Sequence, residues 1–242
     1  MSNPGRLNAV PPTGWGDLAD AFDAFAESDQ RVLVITGEDG NFCSGADMNK
    51  DPQDIPSAAD NAARMRLTNR AALALHRLPK PTIAAVDGVA VGAGMNLALG
   101  CDIIIATDRA RFSEIFAKRG LTLDFGGTWL LPRLVGLARA RELALTGRVV
   151  GADEAFDIGL VSMVVPTDSL TDEVSALADT LTEGAPLAQS VIKRALDRSS
   201  SMSFEQALSF EEQAQAVLLT SEDLTEGAAA FVEKRKPEFK GR

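Results

Sequence analysis

The hydrophobic pattern of this 242-residue chain changes period part-way along. Short, unbroken apolar runs closed by Gly or Asp occur at residues 31–37 (RVLVITG), 81–88 (PTIAAVDG) and 101–108 (CDIIIATD). Their β-branched content and their Gly and Pro boundaries predict buried strands. Residues 59–78 are rich in Ala and Leu at helical spacing. GMNLALG, residues 94–100, reads as one short helix between two glycines. Strands alternating with helices predict an α/β core whose strands are covered on both faces. Beyond residue 126 the helical period takes over. Helices are expected over 128–135, 138–146, 152–158, 169–183, 186–198, 203–219 and 221–236, with one strand, LVSMVV, at 160–165. The chain thus divides near residue 180 into an α/β core (1–180) and a helical region (181–242) suited to contact with other subunits. The Gly- and Pro-rich stretch before Trp15 reads as the one loose segment.

Composition narrows the function classes. No apolar run is long enough to span a bilayer, and the first residues lack the apolar stretch of a secretory signal. The two cysteines, Cys43 and Cys101, sit in apolar surroundings and read as reduced core residues of a cytoplasmic protein. A single histidine, His76, argues against a histidine-based metal site and a Ser-His-Asp triad. The formal net charge of −10 argues against general nucleic-acid binding. Residues 234–242, however, carry five basic side chains against one acidic. That basic tail is either a solvated end or a local phosphate site.

Two turns from strand to helix contain small residues: GNFCSGADM (40–48) and DGVAVGAGMN (87–96). Small side chains let the backbone approach a ligand, and helix starts leave amide hydrogens unpaired. Two such turns side by side would aim two N–H groups at one oxygen, and one such donor is worth about 3–4 kcal/mol to a developing oxyanion. The glycines at 88, 92 and 94 do not fit G-x-G-x-x-G, and no phosphate-binding P-loop occurs. A further feature is Asp124, placed among Leu121, Leu123 and Phe125 directly before Gly126 and Gly127. A carboxylate in that setting is costly unless paired or used. It either caps the helix that follows or handles a proton.

Taken in order, the segments LVITGEDGNFCSGADM, LPKPTIAAVDGVAVGAGMNLALGCDIIIATDRARFS, GGTWLLPRLVG, LALTGRVVGADEAFDIGLVSMVV and EGAAAFVEKRKPEFKGR resemble the enoyl-CoA hydratase/isomerase (crotonase) family over nearly the whole chain. The resemblance implies a crotonase-like spiral of ββα units with a helical C-terminal trimerisation region. It also implies a homotrimer or dimer of trimers and an acyl-CoA substrate with no separate cofactor. It places the two oxyanion donors on the backbone of Ala46 and Ala93. It assigns CoA contacts to Ser44, Asp47 and Met48, an acyl-pocket wall to Phe116, and the pantetheine and phosphate end to Phe231 and Lys234, often in a neighbouring subunit.

Departures from the family pattern decide the expected chemistry. The two positions that carry glutamates in hydratases are Asn96 and Phe116 here, counted without gaps. Glu114, two residues before Phe116, would face the same side of an extended segment and enters only if the alignment slips. GLTLDFGGTWLLPR nearly reproduces a string of the phenylacetate-pathway isomerase type, in which the aspartate is the acid/base. An enoyl-CoA isomerase working through Asp124 is therefore the leading expectation, with a hydratase or hydrolase variant and a non-catalytic acyl-CoA binder as alternatives. The family's first strand pair has no counterpart before Leu7: either the start of the chain is truncated or misassigned, or the first hairpin is lost, a loss that would expose a sheet edge. His76 and Cys43 are expected to be structural, and Trp129 to pack beneath the Asp124 turn.

Overall fold

A computed structural model describes residues 1–47 and 56–242; Met48 lies outside the described residues. The chain forms two compact units. One comprises Met1–Ser28, Val34–Leu78 and Thr82–Ser175, the other Asp29–Leu33, Pro79–Pro81 and Ala176–Arg242.

Among the described residues, seven strands are divided between two sheets. β1 (Leu33–Thr36), β2 (Thr82–Val86), β4 (Ile103–Thr107) and β7 (Met163–Val165) form one sheet in the order β1-β2-β4-β7. β3 (Val89–Val91), β5 (Arg111–Ser113) and β6 (Val150–Gly151) form the other. β2 pairs parallel with β4, and β3 parallel with β5. Each sharp turn, at residues 87–88 and 108–110, moves the chain from the first sheet to the second, and a helix follows: α3 (Ala93–Leu99) after β3, and α4 (Gly127–Val135) after β5 and a 3₁₀ turn at Ile115–Arg119. This is a spiral of strand–strand–helix units. Asp87 ties two turns together, accepting from Thr107 Oγ1 at 2.8 Å and from Arg109 Nε at 2.6 Å. All five residues of β2 are buried, which accounts for its unbroken apolar run.

The second strands β3, β5 and β6 were not expected from sequence. At two or three residues each, they are too short to show a period. The first helix, α1 (Gly14–Glu27), was also not expected, because its glycines and the preceding prolines read as a loop. Its buried Trp15, Ala19 and Phe22 nonetheless recur at i, i+4 and i+7, the stripe of an amphipathic helix. The segment before it is not loose. Asn8 is buried and its side-chain amide donates to the carbonyls of Glu38 (2.8 Å) and Asn41 (2.7 Å). The N-terminal amine donates to the Thr36 carbonyl at 2.7 Å, at the end of β1.

α2 (Ala58–His76) opens with a reciprocal cap between Ser57 and Asp60. α5 (Leu137–Thr146) and α6 (Ala152–Asp157) complete the first unit's helices, and α7 (Leu170–Thr182) begins there. The second unit holds the rest of α7 with α8 (Pro186–Ser199), α9 (Phe204–Leu218) and α10 (Glu222–Glu233). Within it, Arg31 donates to the carbonyls of Phe239 (3.2 Å) and Gly184 (3.1 Å). Buried Asp223 accepts the backbone N–H groups of Lys240 (2.6 Å) and Gly241 (2.9 Å), fixing the C-terminus against α10. No helix among the described residues is long and apolar enough to cross a membrane.

Candidate active site

The two glycine-containing turns lie against each other. Cys43 bridges to Ala90 in parallel, with the Cys43 N–H donating to the Val89 carbonyl at 2.8 Å and the Val91 N–H to the Cys43 carbonyl at 3.0 Å. A methyl placed on Gly45 would stand 3.5 Å from the Ala93 nitrogen, so the two proposed donors belong to one locus. Ala46 is the middle residue of a parallel bridge to Val10. The Val10 N–H donates to the Gly45 carbonyl (2.8 Å) and the Asp47 N–H to the Val10 carbonyl (2.9 Å). In a parallel ladder the central residue's own N–H points away from that neighbour. Ala93 is the first residue of α3, where an N–H has no partner within the helix. Neither N–H donates to an acceptor among the described residues.

Phe116 is buried beside this locus. Its ring would lie 3.6 Å from a methyl on Gly92, at the mouth of the second turn. It sits in the 3₁₀ turn rather than in an extended segment, so the expectation that Glu114 and Phe116 share one face of a strand is corrected. Glu114 precedes that turn and is nevertheless buried, 1% exposed. Ser44 is partly covered; its hydroxyl donates to the Arg6 carbonyl at 2.9 Å. Asp47 follows at the edge of the described residues. Phe231 and Lys234 belong to the second unit. Phe231 is 85% exposed on α10, and Lys234 caps that helix in a left-handed conformation.

Asp124 does not cap α4 through its side chain. The cap position is Gly126, and the Asp124 carbonyl, not its carboxylate, accepts the Gly127 N–H at 2.9 Å. Phe125, next in the chain, has φ 47°, a left-handed conformation uncommon for a bulky residue. Such strain costs about 1–3 kcal/mol and persists where neighbours over-determine it. Here the buried Phe125 ring packs on Trp15 at a centroid distance of 5.3 Å. Trp15 is therefore the buried indole behind the turn. Trp129, expected there, is 37% exposed, lies under Arg133 at 3.7 Å and meets the edge of His76 at 5.4 Å. Trp129 and His76 line an apolar cavity of about 420 Å³ with Leu73, Phe125, Gly126 and Leu130.

Three groups meet behind the turn. The Asn96 side-chain amide donates to the Asp124 carbonyl at 3.0 Å and reaches Glu114 Oε2 at 3.4 Å. Burial pushes the Asp124 carboxyl up to about 6. Burial, reinforced by the Asp124 charge and opposed by the Asn96 hydrogen bond, pushes Glu114 up to about 8. Folded-state values above the ordinary range mean that the native chain holds protons that the unfolded chain releases. Glu114 therefore weakens the fold as pH rises from the ordinary carboxylate range of about 4.5 to about 8, and the whole cost is present above that. Glu114→Gln should accordingly melt higher than the wild type in mildly alkaline buffer, the gap closing as pH falls towards about 4.5. Thermal melts across pH check this. Cys43, by contrast, is a fully buried thiol pushed up to about 11 by burial, the state of an inert core cysteine.

No group of three or more His, Cys, Asp or Glu side chains able to hold a metal ion gathers among the described residues. The enoyl-CoA hydratase/isomerase family model matches residues 1–242. The 1,2-epoxyphenylacetyl-CoA isomerase of Escherichia coli K12 is 38% identical over 100% of this chain and 94% of its own length. The 2,3-dehydroadipyl-CoA hydratase of the same organism is 36% identical over 100% and 94%. Among solved structures, an enoyl-CoA hydratase from Bacillus anthracis superposes with a TM-score of 0.95 at 30% identity, covering 100% of this chain and 94% of that one.

Proposed function

Because the chain belongs to the enoyl-CoA hydratase/isomerase family, we propose that it is an enoyl-CoA isomerase that moves a carbon–carbon double bond by proton transfer at Asp124. The thioester oxygen accepts from the N–H groups of Ala46 and Ala93. Charge drawn into that oxygen acidifies the neighbouring C–H. The Asp124 carboxylate takes that proton, an enolate forms, and the same carboxyl returns the proton two carbons along as the double bond shifts. The observation that carries this reading is the placement of Asp124. Its carboxyl is free of any capping bond and is raised by burial to about 6, near the working range of a base that must also give its proton back. Turnover should fall as pH drops through about 6, because the base form is lost there; a pH–rate profile reads this directly.

Ser44, Asp47 and Met48 are proposed to shape the CoA-binding loop, and Phe231 and Lys234, reaching in from a neighbouring subunit, to meet the pantetheine and phosphate end. Phe116 is the proposed wall of the acyl pocket. A homotrimer or dimer of trimers is the proposed assembly. The exposed apolar side chains of Ile192, Leu196, Phe204 and Val232 in the helical unit support it, and light scattering after gel filtration tests it. A second reading, hydration of the double bond, is favoured by one observation: a second carboxyl, Glu114, contacts the same asparagine. The experiment that separates the two is incubation with 2-enoyl-, 3-enoyl- and dienoyl-CoA esters in heavy water. Products of unchanged formula with a shifted double bond and incorporated deuterium are expected. Gain of one water as the main product would overturn the isomerase reading.

A further inference from the structure

Among the described residues, the buried side-chain oxygens without a hydrogen-bond partner are three: Asn96 Oδ1, Glu114 Oε1 and Asp124 Oδ1. All three belong to the cluster behind the Asp124 turn. Asn96 and Glu114 are essentially inaccessible, at 0% and 1% exposed. Leaving a buried polar atom unpaired is costly, and more so for a charged group. An ionised Glu114 makes the arrangement worse. The cluster then holds two carboxylates, and the Asn96 amide is the side-chain donor that serves it. A proton on Glu114 removes one of the two charges and turns a bare acceptor into a group that can donate.

The packing shows what this asparagine does. Its amide hydrogens go to the Asp124 carbonyl and to Glu114, so the two acceptors together set the orientation of the amide plane. The first residue of α4 lies directly against this amide. A methyl on Gly127 would lie 2.6 Å from Asn96 Oδ1, a distance at which something must shift. The Asp124 carbonyl thus accepts twice, from the Gly127 N–H and from Asn96. The same Asn96 amide nitrogen thus links Glu114 to the Asp124 backbone.

We propose that Glu114, held as the neutral carboxylic acid, is a positioning residue: it fixes Asn96 and, through it, the Asp124 turn, and its ionisation shuts the reaction down in alkaline solution. This proposal rests on the reading of Asp124 as the base. It differs from the hydratase alternative, in which Glu114 would itself act on water. The charges around Glu114 agree with it. From α3 the polar neighbour is Asn96, and from the 120–126 loop the charged one is Asp124, which disfavours a second negative charge. Lys118 and Arg119 on its own 3₁₀ turn are exposed. Arg148, beyond Gly147, is engaged by Glu142 and Glu154. None of these cations lowers the proton affinity of Glu114.

The test is the pH dependence of kcat, with a 3-enoyl-CoA ester as probe, for the wild type, Glu114→Gln, Glu114→Ala and Asp124→Asn. The wild type should lose activity on the acid side near about 6 and again on the alkaline side near about 8. Glu114→Gln, which cannot ionise but keeps an oxygen for Asn96, should keep the acid limb and lose the alkaline one. Glu114→Ala should lower kcat by about tenfold or more with KM little changed, the pattern of a lost transition-state geometry. An alkaline limb that persists in Glu114→Gln, or full turnover in Glu114→Ala, would overturn the proposal. Activity that survives in Asp124→Asn would instead overturn the reading of the base, so the two failures are distinct. If the Glu114 variants do not fold, infrared difference spectra of the wild type across the alkaline transition decide the matter. A buried carboxylic-acid carbonyl band that disappears there, and is already present in neutral solution, is expected. Its absence in neutral solution would sink the proposal.

Discussion

Asp124→Asn is expected to lower isomerase turnover by about 100- to 10,000-fold, the range for loss of a positioned general acid–base group, while KM for the same ester stays within about threefold. The substitution is nearly isosteric, and what it removes can be named. The Asp124 carbonyl, which accepts from Asn96 and from the Gly127 N–H, belongs to the backbone and is unaffected. Phe125 keeps its packing on Trp15, and with it the strained turn. The N–H groups of Ala46 and Ala93, the proposed oxyanion donors, lie on other elements, so thioester binding is expected to persist. Only the site able to hold and release a proton is lost. Exchange of the acidified C–H with heavy water should fall in parallel with isomerisation, because both pass through the same proton transfer. NMR of substrate recovered from heavy water measures the first, and absorbance or mass of the product measures the second. Unchanged exchange in a folded Asp124→Asn protein would mean that another group takes the proton. Melting temperature should rise or hold. An amide does not incur the burial cost that raises this carboxyl above its ordinary range, so a large drop in melting temperature would point to a structural role.

The sequence is most legible where its patterns are long. The apolar runs of β2 and β4 are complete because these strands are buried on both sides; β1, expected to be buried, is instead an edge strand in which Ile35 is buried while Val34 and Thr36 are exposed. The helices from α4 onward each show a full period with recognisable ends. Three-residue strands such as β3 and β5 carry no period of their own and appear only once their neighbours are in place. Asp124 drew attention because a carboxylate among apolar residues is an anomaly. The same test applied to FSEIF would have singled out Glu114, flanked by Phe112 and Phe116, both buried. A count along a family pattern displaced that physical signal, and the 3₁₀ turn at Ile115–Arg119 broke the assumption of an extended segment. Counted along the family pattern, Asn96 stands where a hydratase carries a glutamate. Its donor role depends on a contact with the Asp124 carbonyl 28 positions away in sequence, which no local pattern encodes. Trp15 was likewise invisible as the support of Phe125, since the two meet only through tertiary packing.

The second large effect is expected at Gly94. Its Cα faces the first turn so closely that an added methyl would collide with the Cys43 carbonyl oxygen and lie 2.8 Å from both the Cys43 carbonyl carbon and its Cβ. The obstacle is backbone rather than the movable end of a side chain, and Cys43 cannot retreat easily. Its N–H and carbonyl are both engaged with β3, and its thiol is fully buried. Gly94→Ala must therefore either part the two turns or tilt α3. Overpacking of this kind in a tight core costs about 1–3 kcal/mol, occasionally more. The functional loss should exceed the loss of stability, because parting the turns would separate the two proposed donors, the N–H groups of Ala46 and Ala93, and leave the thioester oxygen with one. Loss of one donor of this kind lowers turnover by about 100- to 1,000-fold. The expected result is a folded protein with a lowered melting temperature and a kcat reduced by that factor, in which the pH–rate profile keeps its acid limb near about 6 because Asp124 is untouched. The control is Gly100→Ala at the other end of α3, where the nearest atom is a leucine methyl, Leu75 Cδ2, at 3.1 Å. Strain there presses on a side chain that can yield, so turnover should remain within a few-fold of the wild type. Equal loss of turnover in both variants would mean that the helix as a whole, rather than the apposition of the two turns, is what the chemistry requires.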